Sequence, residues 1–144
     1  MGLDMYLTAR INLAGDENVQ VEGLDSKGLE IGAAEYDLGY WRKANAIHGW
    51  FVRNVQDGQD DCSAYLVLIE DLQTLRDLCV KVLEEKTPEA LPPTKGFFFG
   101  STDVDEYYWD DLRLTVDICN KACELVDSAK DQNRYWRFTY QSSW

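Results

Sequence analysis

The sequence has one histidine, three prolines and four cysteines in 144 residues, and it lacks any apolar run long enough to cross a membrane. One histidine and cysteines without Cys-x-x-Cys spacing do not favour a structural zinc site, although Cys119 and Cys123 lie four residues apart on a predicted helix. No GxxxxGKS or Rossmann glycine pattern occurs, and no apolar run follows a basic segment at the start. We therefore expect a cytoplasmic protein with reduced cysteines, no metal, no cofactor and no membrane contact.

Positive charge is also scarce. The chain carries 14 lysines and arginines against 26 aspartates and glutamates, a net charge of −12. Such a surface repels nucleic-acid phosphates and anionic membranes, so direct nucleic-acid binding is not expected. Three uses of acidity stay open: solubility, attraction of a basic protein partner, and mimicry of a nucleic-acid backbone.

Hydrophobic periodicity predicts one domain over residues 1–144. Alternation predicts strands over 5–13 and 135–140, with short strands over 19–22 and 29–32 and a central apolar strand over 64–69. Helical spacing predicts helices over 38–55, 71–85 and 103–130, and prolines predict a loop over 87–93. The order β-β-β-α-β-α-α-β predicts an α+β fold, a mostly antiparallel sheet with about three helices packed on one face.

The stretch YWRKANAIHGWFV, residues 40–52, gathers basic and aromatic side chains within the predicted first helix. On a helical wheel, a flanking stripe consists of Arg42, Asn45, Gly49 and Arg53, and the adjoining core face carries Trp41 and His48. Arginine side chains suit phosphate or carboxylate groups, and aromatic faces suit a base. Gly49 leaves a gap in the stripe that admits either a ligand or another backbone.

The long predicted helix offers a counterpart. Its wheel places Asp111 near the centre of an apolar arc, where an unpaired carboxylate costs several kcal/mol. We expect Asp111 to have a cationic or hydrogen-bonding partner, with His48 and the arginines of the first predicted helix as the candidates. A pair with His48 would fix the imidazole tautomer and raise the pKa of His48. The aromatic loop 97–99 precedes this helix and adds Phe98 to the candidate ligand-binding residues; no catalytic residue is assigned.

Five segments together resemble an uncharacterised family of small proteins found in phages, prophages and bacterial genomes. They are MGLDMYL, YWRKANAIHGWFV, NVQDGQDDC, FFFGST and the terminal SSW. The resemblance implies a compact cytosolic protein of phage type that acts in the bacterial cytoplasm. It implies no established chemistry.

Three functions follow as hypotheses. The first is a binding protein that sequesters a small anionic nucleotide-like molecule, such as a host immune signal. The second is an acidic inhibitor of a host protein, and the third is a hydrolase that uses His48 and Asp111 as an acid–base pair. Because Trp50, Trp109 and Trp144 are hard to bury together in a small monomer, we also expect a homodimer or a higher homo-oligomer.

Overall fold

The computed structural model describes residues 2–24, 27–132 and 134–144, and within them it shows an α+β fold. The strands are β1 (Asp4–Asn12), β2 (Ala33–Arg42), β3 (Tyr65–Val67) and β4 (Trp136–Ser143), and the helices are α1 (Asn45–Asn54), α2 (Ile69–Glu85) and α3 (Glu106–Ala129). None of the helices in these ranges is long and apolar enough to span a membrane.

The four strands form one sheet in the order β2-β1-β4-β3, with every neighbouring pair antiparallel. Strand β1 lies in the interior of the sheet, paired with β2 on one side and β4 on the other. It alternates strictly, and Met5, Leu7, Ala9 and Ile11 are buried. The residues between them are exposed or half-buried. The sheet therefore buries one face and leaves the other open.

Strand β2 is joined to helix α3 by two close contacts. The indole Nε1 of Trp41 donates a buried hydrogen bond of 2.9 Å to Thr115 Oγ1. Gly39 lies against Ile118, so close that a Cβ at residue 39 would be 2.6 Å from Ile118 Cγ2. An extra residue in β2, opposite the junction of Leu7 and Thr8, shifts the register in this part of the strand.

The predicted helix over 38–55 is wrong in its first part. Residues 38–42 belong to β2, and the helix begins only at Asn45. Between them Lys43 adopts a left-handed backbone, with φ of 57°, that turns the chain from strand to helix. Pairing with β1 prevails here over local helical spacing, because an alternating pair such as Trp41 (buried) and Arg42 (exposed) satisfies either pattern.

Three other strand predictions also need correction. Residues 19–22 and 29–32 form no strand, and the second strand is instead the longer β2. The apolar run 64–69 supplies only the three residues of β3, at the edge of the sheet, because α2 begins at Ile69. The observed order is thus β-β-α-β-α-α-β. The predicted helices 71–85 and 103–130 and the strand 135–140 are confirmed with their ends shifted by three residues or fewer.

Two of the three tryptophans from which self-association was predicted are wholly or partly covered within one chain. Trp50 is buried within the monomer, and Trp109 is partly covered, with the Lys86 ammonium 4.6 Å from its ring centroid. Only Trp144 is substantially exposed, at 45%. Homo-oligomerisation therefore stays a prediction without support from Trp50 or Trp109.

The close approach of β2 and α3 yields a first prediction. Gly39→Ala lowers the free energy of unfolding by about 1–3 kcal/mol, because the added methyl group overlaps Ile118. In an Ile118→Ala background the same change costs much less, and Gly32→Ala, with open space around residue 32, costs little. Urea unfolding of the four variants measures this. Equal costs at residues 39 and 32 would contradict the packing described.

Candidate functional site

A cleft of about 290 Å³ lies where β2 passes into α1, facing the start of α3. Its lining includes two cations, three carboxylates and an exposed tyrosine: Arg42, Lys43, Asp103, Asp105, Asp111 and Tyr107. Of the eight candidate residues from the sequence, Arg42, Asn45 and Asp111 line this cleft. Trp41, His48, Gly49, Arg53 and Phe98 are not part of the lining.

Asn45 lines the cleft but binds the protein itself. Its side chain is buried, and Nδ2 donates to the carbonyl oxygens of Phe99 at 3.0 Å and Ser101 at 2.9 Å. Its Oδ1 accepts from the backbone N–H of Thr94 at 2.9 Å. Both amide donors are thereby used. Asn45 holds the loop 94–101 against α1 and has no donor left for a ligand.

The gap predicted at Gly49 is filled by the same loop. A Cβ at residue 49 would lie 2.0 Å from Thr94 Oγ1, so the glycine is required for the close approach of the loop. The two alternatives for this gap were a ligand and another part of the chain. The structure shows the second, with the side chain of Thr94 in the gap. Phe98 also belongs to this loop; its carbonyl accepts from Leu3 N–H at 3.0 Å, and its ring packs partly buried against the core.

His48 does not meet Asp111, so that predicted pair is wrong. The imidazole is fully buried, with Nδ1 2.7 Å from the Tyr140 hydroxyl and Nε2 3.0 Å from an Asp60 carboxylate oxygen. The other oxygen of Asp60 accepts from Trp144 Nε1 at 3.0 Å. The helical wheels of the two predicted helices assigned residues to faces but did not show how the helices are oriented relative to each other. In the structure, His48 points toward β4 and the 57–62 loop. Because His48 and Asp111 are not in contact, they cannot act together as the acid–base pair of the hydrolase hypothesis.

Asp111 is instead a carboxyl group with no side-chain hydrogen bond or ion pair in the part of the chain that the structure describes. Burial raises its pKa to about 7, and the charges of Asp110 and Asp105 add to this effect. The group is therefore divided between its neutral and charged forms near neutral pH. A half-buried, titrating group in a cleft is a common mark of a functional site.

Two residues of this cleft were not predicted from the sequence. Lys43 was not among the candidate residues, and its left-handed backbone brings it into the cleft lining, where its aliphatic stem lies over Gly100. Tyr107 was not among the candidate residues either, and it is 81% exposed at the cleft. No local pattern marks a strand-to-helix junction at Lys43, so no sequence signal could have shown its position.

Comparison with family models, curated proteins and solved structures finds no match for this chain. The residues themselves therefore define what the cleft can do. Over the described ranges, no group of three or more His, Cys, Asp or Glu side chains is arranged to hold a metal ion. The cleft offers two cations that form no ion pair with any described residue, one carboxyl that titrates near neutral pH and one exposed aromatic ring.

The three hydrogen bonds of Asn45 yield a second prediction. Asn45→Ala lowers the free energy of unfolding by about 3 kcal/mol, because it leaves buried carbonyl and N–H groups without partners. Asn54→Ala is the matched control, since the Asn54 side chain makes one hydrogen bond at the exposed end of the same helix. Urea unfolding compares the two. If Asn45→Ala lowers the free energy of unfolding no more than Asn54→Ala does, the Asn45 side chain does not hold the loop 94–101 in place.

Asp111 yields a third prediction, on pH. Because its pKa is about 7 when folded and about 3.9 in the unfolded chain, the folded state binds more protons between these values. The contribution of Asp111 to stability therefore falls as the pH rises from about 4 to about 7. Asp111→Asn raises the free energy of unfolding at pH 8 by about 1–2 kcal/mol, after allowance for partial exposure, and changes little at pH 4.

Asp117→Asn is the control for this measurement, because residue 117 is an exposed aspartate on the same helix. Urea unfolding of both variants and the parent protein at pH 4, 6 and 8 gives the comparison. Identical pH profiles for the two variants would show that Asp111 titrates as an ordinary surface carboxyl.

Proposed function

We propose that this protein binds a small nucleotide-like molecule with a single anionic group in the cleft of Arg42, Lys43 and Asp111. The observation that carries the proposal is that the side chains of Arg42, Lys43 and Asp111 share one cleft and, among the residues that the structure describes, none of them forms an ion pair. Asp103 and Asp105 line the same cleft, yet neither forms an ion pair with Arg42 or Lys43. An anionic ligand group would supply the missing partner.

The position of the two cations supports an anion between them. Arg42 ends β2 and Lys43 occupies the left-handed turn that follows, so both are held by backbone hydrogen bonds of the sheet. The Lys43 N–H donates to the Leu3 carbonyl at 2.7 Å. A cation on fixed backbone loses less freedom on binding than one on a flexible loop.

The remaining residues suit a base and a sugar. Tyr107 is 81% exposed and offers a face on which an aromatic base stacks. Asp111, when protonated, donates a hydrogen bond to a ring nitrogen or carbonyl group and otherwise accepts one. A volume of about 290 Å³ suits a mononucleotide better than a dinucleotide.

The charge balance indicates which anion. Asp103 and Asp105 also line the cleft, so they offset the charges of Arg42 and Lys43 when Asp111 is neutral. A ligand with one negative charge is tolerated there, whereas a triphosphate would meet the two carboxylates. We therefore propose a cyclic mononucleotide as the best-suited probe. By its resemblance to phage-associated proteins, the biological use would be sequestration of a host signalling nucleotide without turnover.

A fourth prediction tests this function. In a panel of the four 3′,5′-cyclic mononucleotides with adenosine and ATP, at least one cyclic nucleotide raises the melting temperature and binds with one-to-one stoichiometry. Arg42→Ala weakens that binding tenfold or more, about 1.4 kcal/mol, while Arg53→Ala, an arginine outside the cleft lining, leaves it unchanged. Calorimetric titration measures both.

The same titration separates the role of Asp111. If the protonated carboxyl donates to the ligand, affinity falls as the pH rises above about 7, and Asp111→Asn removes this dependence because an amide also donates. The proposal fails if no cyclic mononucleotide binds, or if Arg42→Ala and Arg53→Ala weaken binding equally.

A further inference from the structure

A second and larger cleft, of about 1210 Å³, lies at the opposite end of the sheet. It surrounds the end of β1, the start of β2 and the start of β4, and it includes the junction of β3 with α2. Strand β1 runs from Asp4, which pairs with Arg42, to Asn12, which lines the second cleft. At about 3.3 Å per residue, the two clefts are roughly 25 Å apart and independent.

The charge of this cleft is opposite to that of the protein. Its lining contains four cations, Arg10, Lys130, Arg134 and Arg137, against two acids, Asp16 and Glu70. Arg134 is paired with Asp16 and Lys130 with Asp127, so Arg10 and Arg137 are the lining cations without a close ion pair among the described residues. The whole chain has 14 basic and 26 acidic residues, so the ratio is reversed here. The two guanidinium groups without a close ion pair favour an anionic ligand at this end of the sheet.

Two of these arginines face each other across the sheet. Arg10 of β1 and Arg137 of β4 are direct partners in the antiparallel register, so their Cβ atoms lie about 5 Å apart. Like charges in this position destabilise a sheet. Arg10 has a long contact of 3.9 Å with exposed Glu35, and Arg137 has no ion pair within residues 2–24, 27–132 and 134–144. One carboxylate or phosphate could accept hydrogen bonds from both guanidinium groups.

Exposed leucines lie next to this arginine pair. Leu66 and Leu68 line the same cleft and are 58% and 55% exposed. Leu66 pairs with Thr139 in β4, two residues from Arg137, so it lies on the same open face of the sheet. An apolar surface beside two guanidinium groups suits a molecule with an anionic head and an aliphatic body.

We propose that this second cleft binds a single anionic amphiphile, an aliphatic chain that ends in a carboxylate or a phosphate. The head group lies between Arg10 and Arg137, and the chain lies along Leu66 and Leu68. This site is separate from the nucleotide cleft, and neither proposal depends on the other.

The test uses the full chain with dodecanoate and dodecyl phosphate below their micelle-forming concentrations. Calorimetric titration is expected to show saturable one-to-one binding of at least one of them, with a rise in the melting temperature instead of the fall caused by a denaturing detergent. Dodecanol, which lacks the charge, and inorganic phosphate and acetate, which lack the chain, are expected to bind at least tenfold more weakly. Comparison of the two amphiphiles identifies the preferred head group.

Variants then locate the site. Arg137→Ala and Leu66→Asn each weaken binding tenfold or more, whereas Arg42→Ala, at the other end of the sheet, leaves it unchanged. Circular dichroism confirms that each variant is folded. The proposal is overturned if neither amphiphile binds saturably, if inorganic phosphate binds as well as dodecyl phosphate, or if Arg42→Ala weakens binding as much as Arg137→Ala.

Discussion

The side-chain amide of Asn45 is the interaction on which the rest of the cleft depends. It donates to two carbonyl oxygens and accepts one N–H from the loop 94–101, all within a buried space. This loop leads into the first turn of α3, so its position sets the positions of Tyr107 and Asp111. Without the buried Asn45 amide, the loop would lose three hydrogen bonds and the free energy that they contribute. The hydrogen bonds of the Asn45 side chain thus stabilise the fold and also position the residues of the candidate site.

Charge placement distinguishes the two ends of the sheet. At one end, Arg42 and Lys43 are balanced by nearby carboxylates, while Asp111 is kept partly neutral by burial. At the other end, Arg10 and Arg137 face each other with little compensation. The first arrangement favours a ligand with one charge and a polar body. The second favours a more concentrated anionic group with an apolar body.

The fold class could be predicted from periodicity, because the alternation in residues 5–13 and the helical spacing in 71–85 are long and unambiguous. The end of β2 could not be predicted in this way. Trp41 and Arg42 fit a strand or a helix equally well, and only pairing with β1 decides between them. The predicted short strands at 19–22 and 29–32 failed for a related reason: local β-propensity forms a strand only where a partner is available.

The candidate site was predicted in part. Arg42, Asn45 and Asp111 do line one cleft, but the partner of His48 is Asp60, from a loop whose position no local pattern reveals. A helical wheel assigns a residue to a face and gives no information on which element covers that face. Lys43 was missed because its orientation depends on its own left-handed backbone at the junction of β2 and α1.

The most direct test of the central claim is a carbon-13 NMR titration of the Asp111 carboxyl, with and without a saturating 3′,5′-cyclic mononucleotide. The Asp111 carboxyl of the free protein is expected to titrate near pH 7. The bound ligand is expected to raise this value by about half a unit or more, because an anion nearby and a hydrogen bond from the protonated form both favour the neutral acid. A carboxyl that titrates near its ordinary value of about 3.9, or a titration curve that the ligand leaves unchanged, would contradict the account.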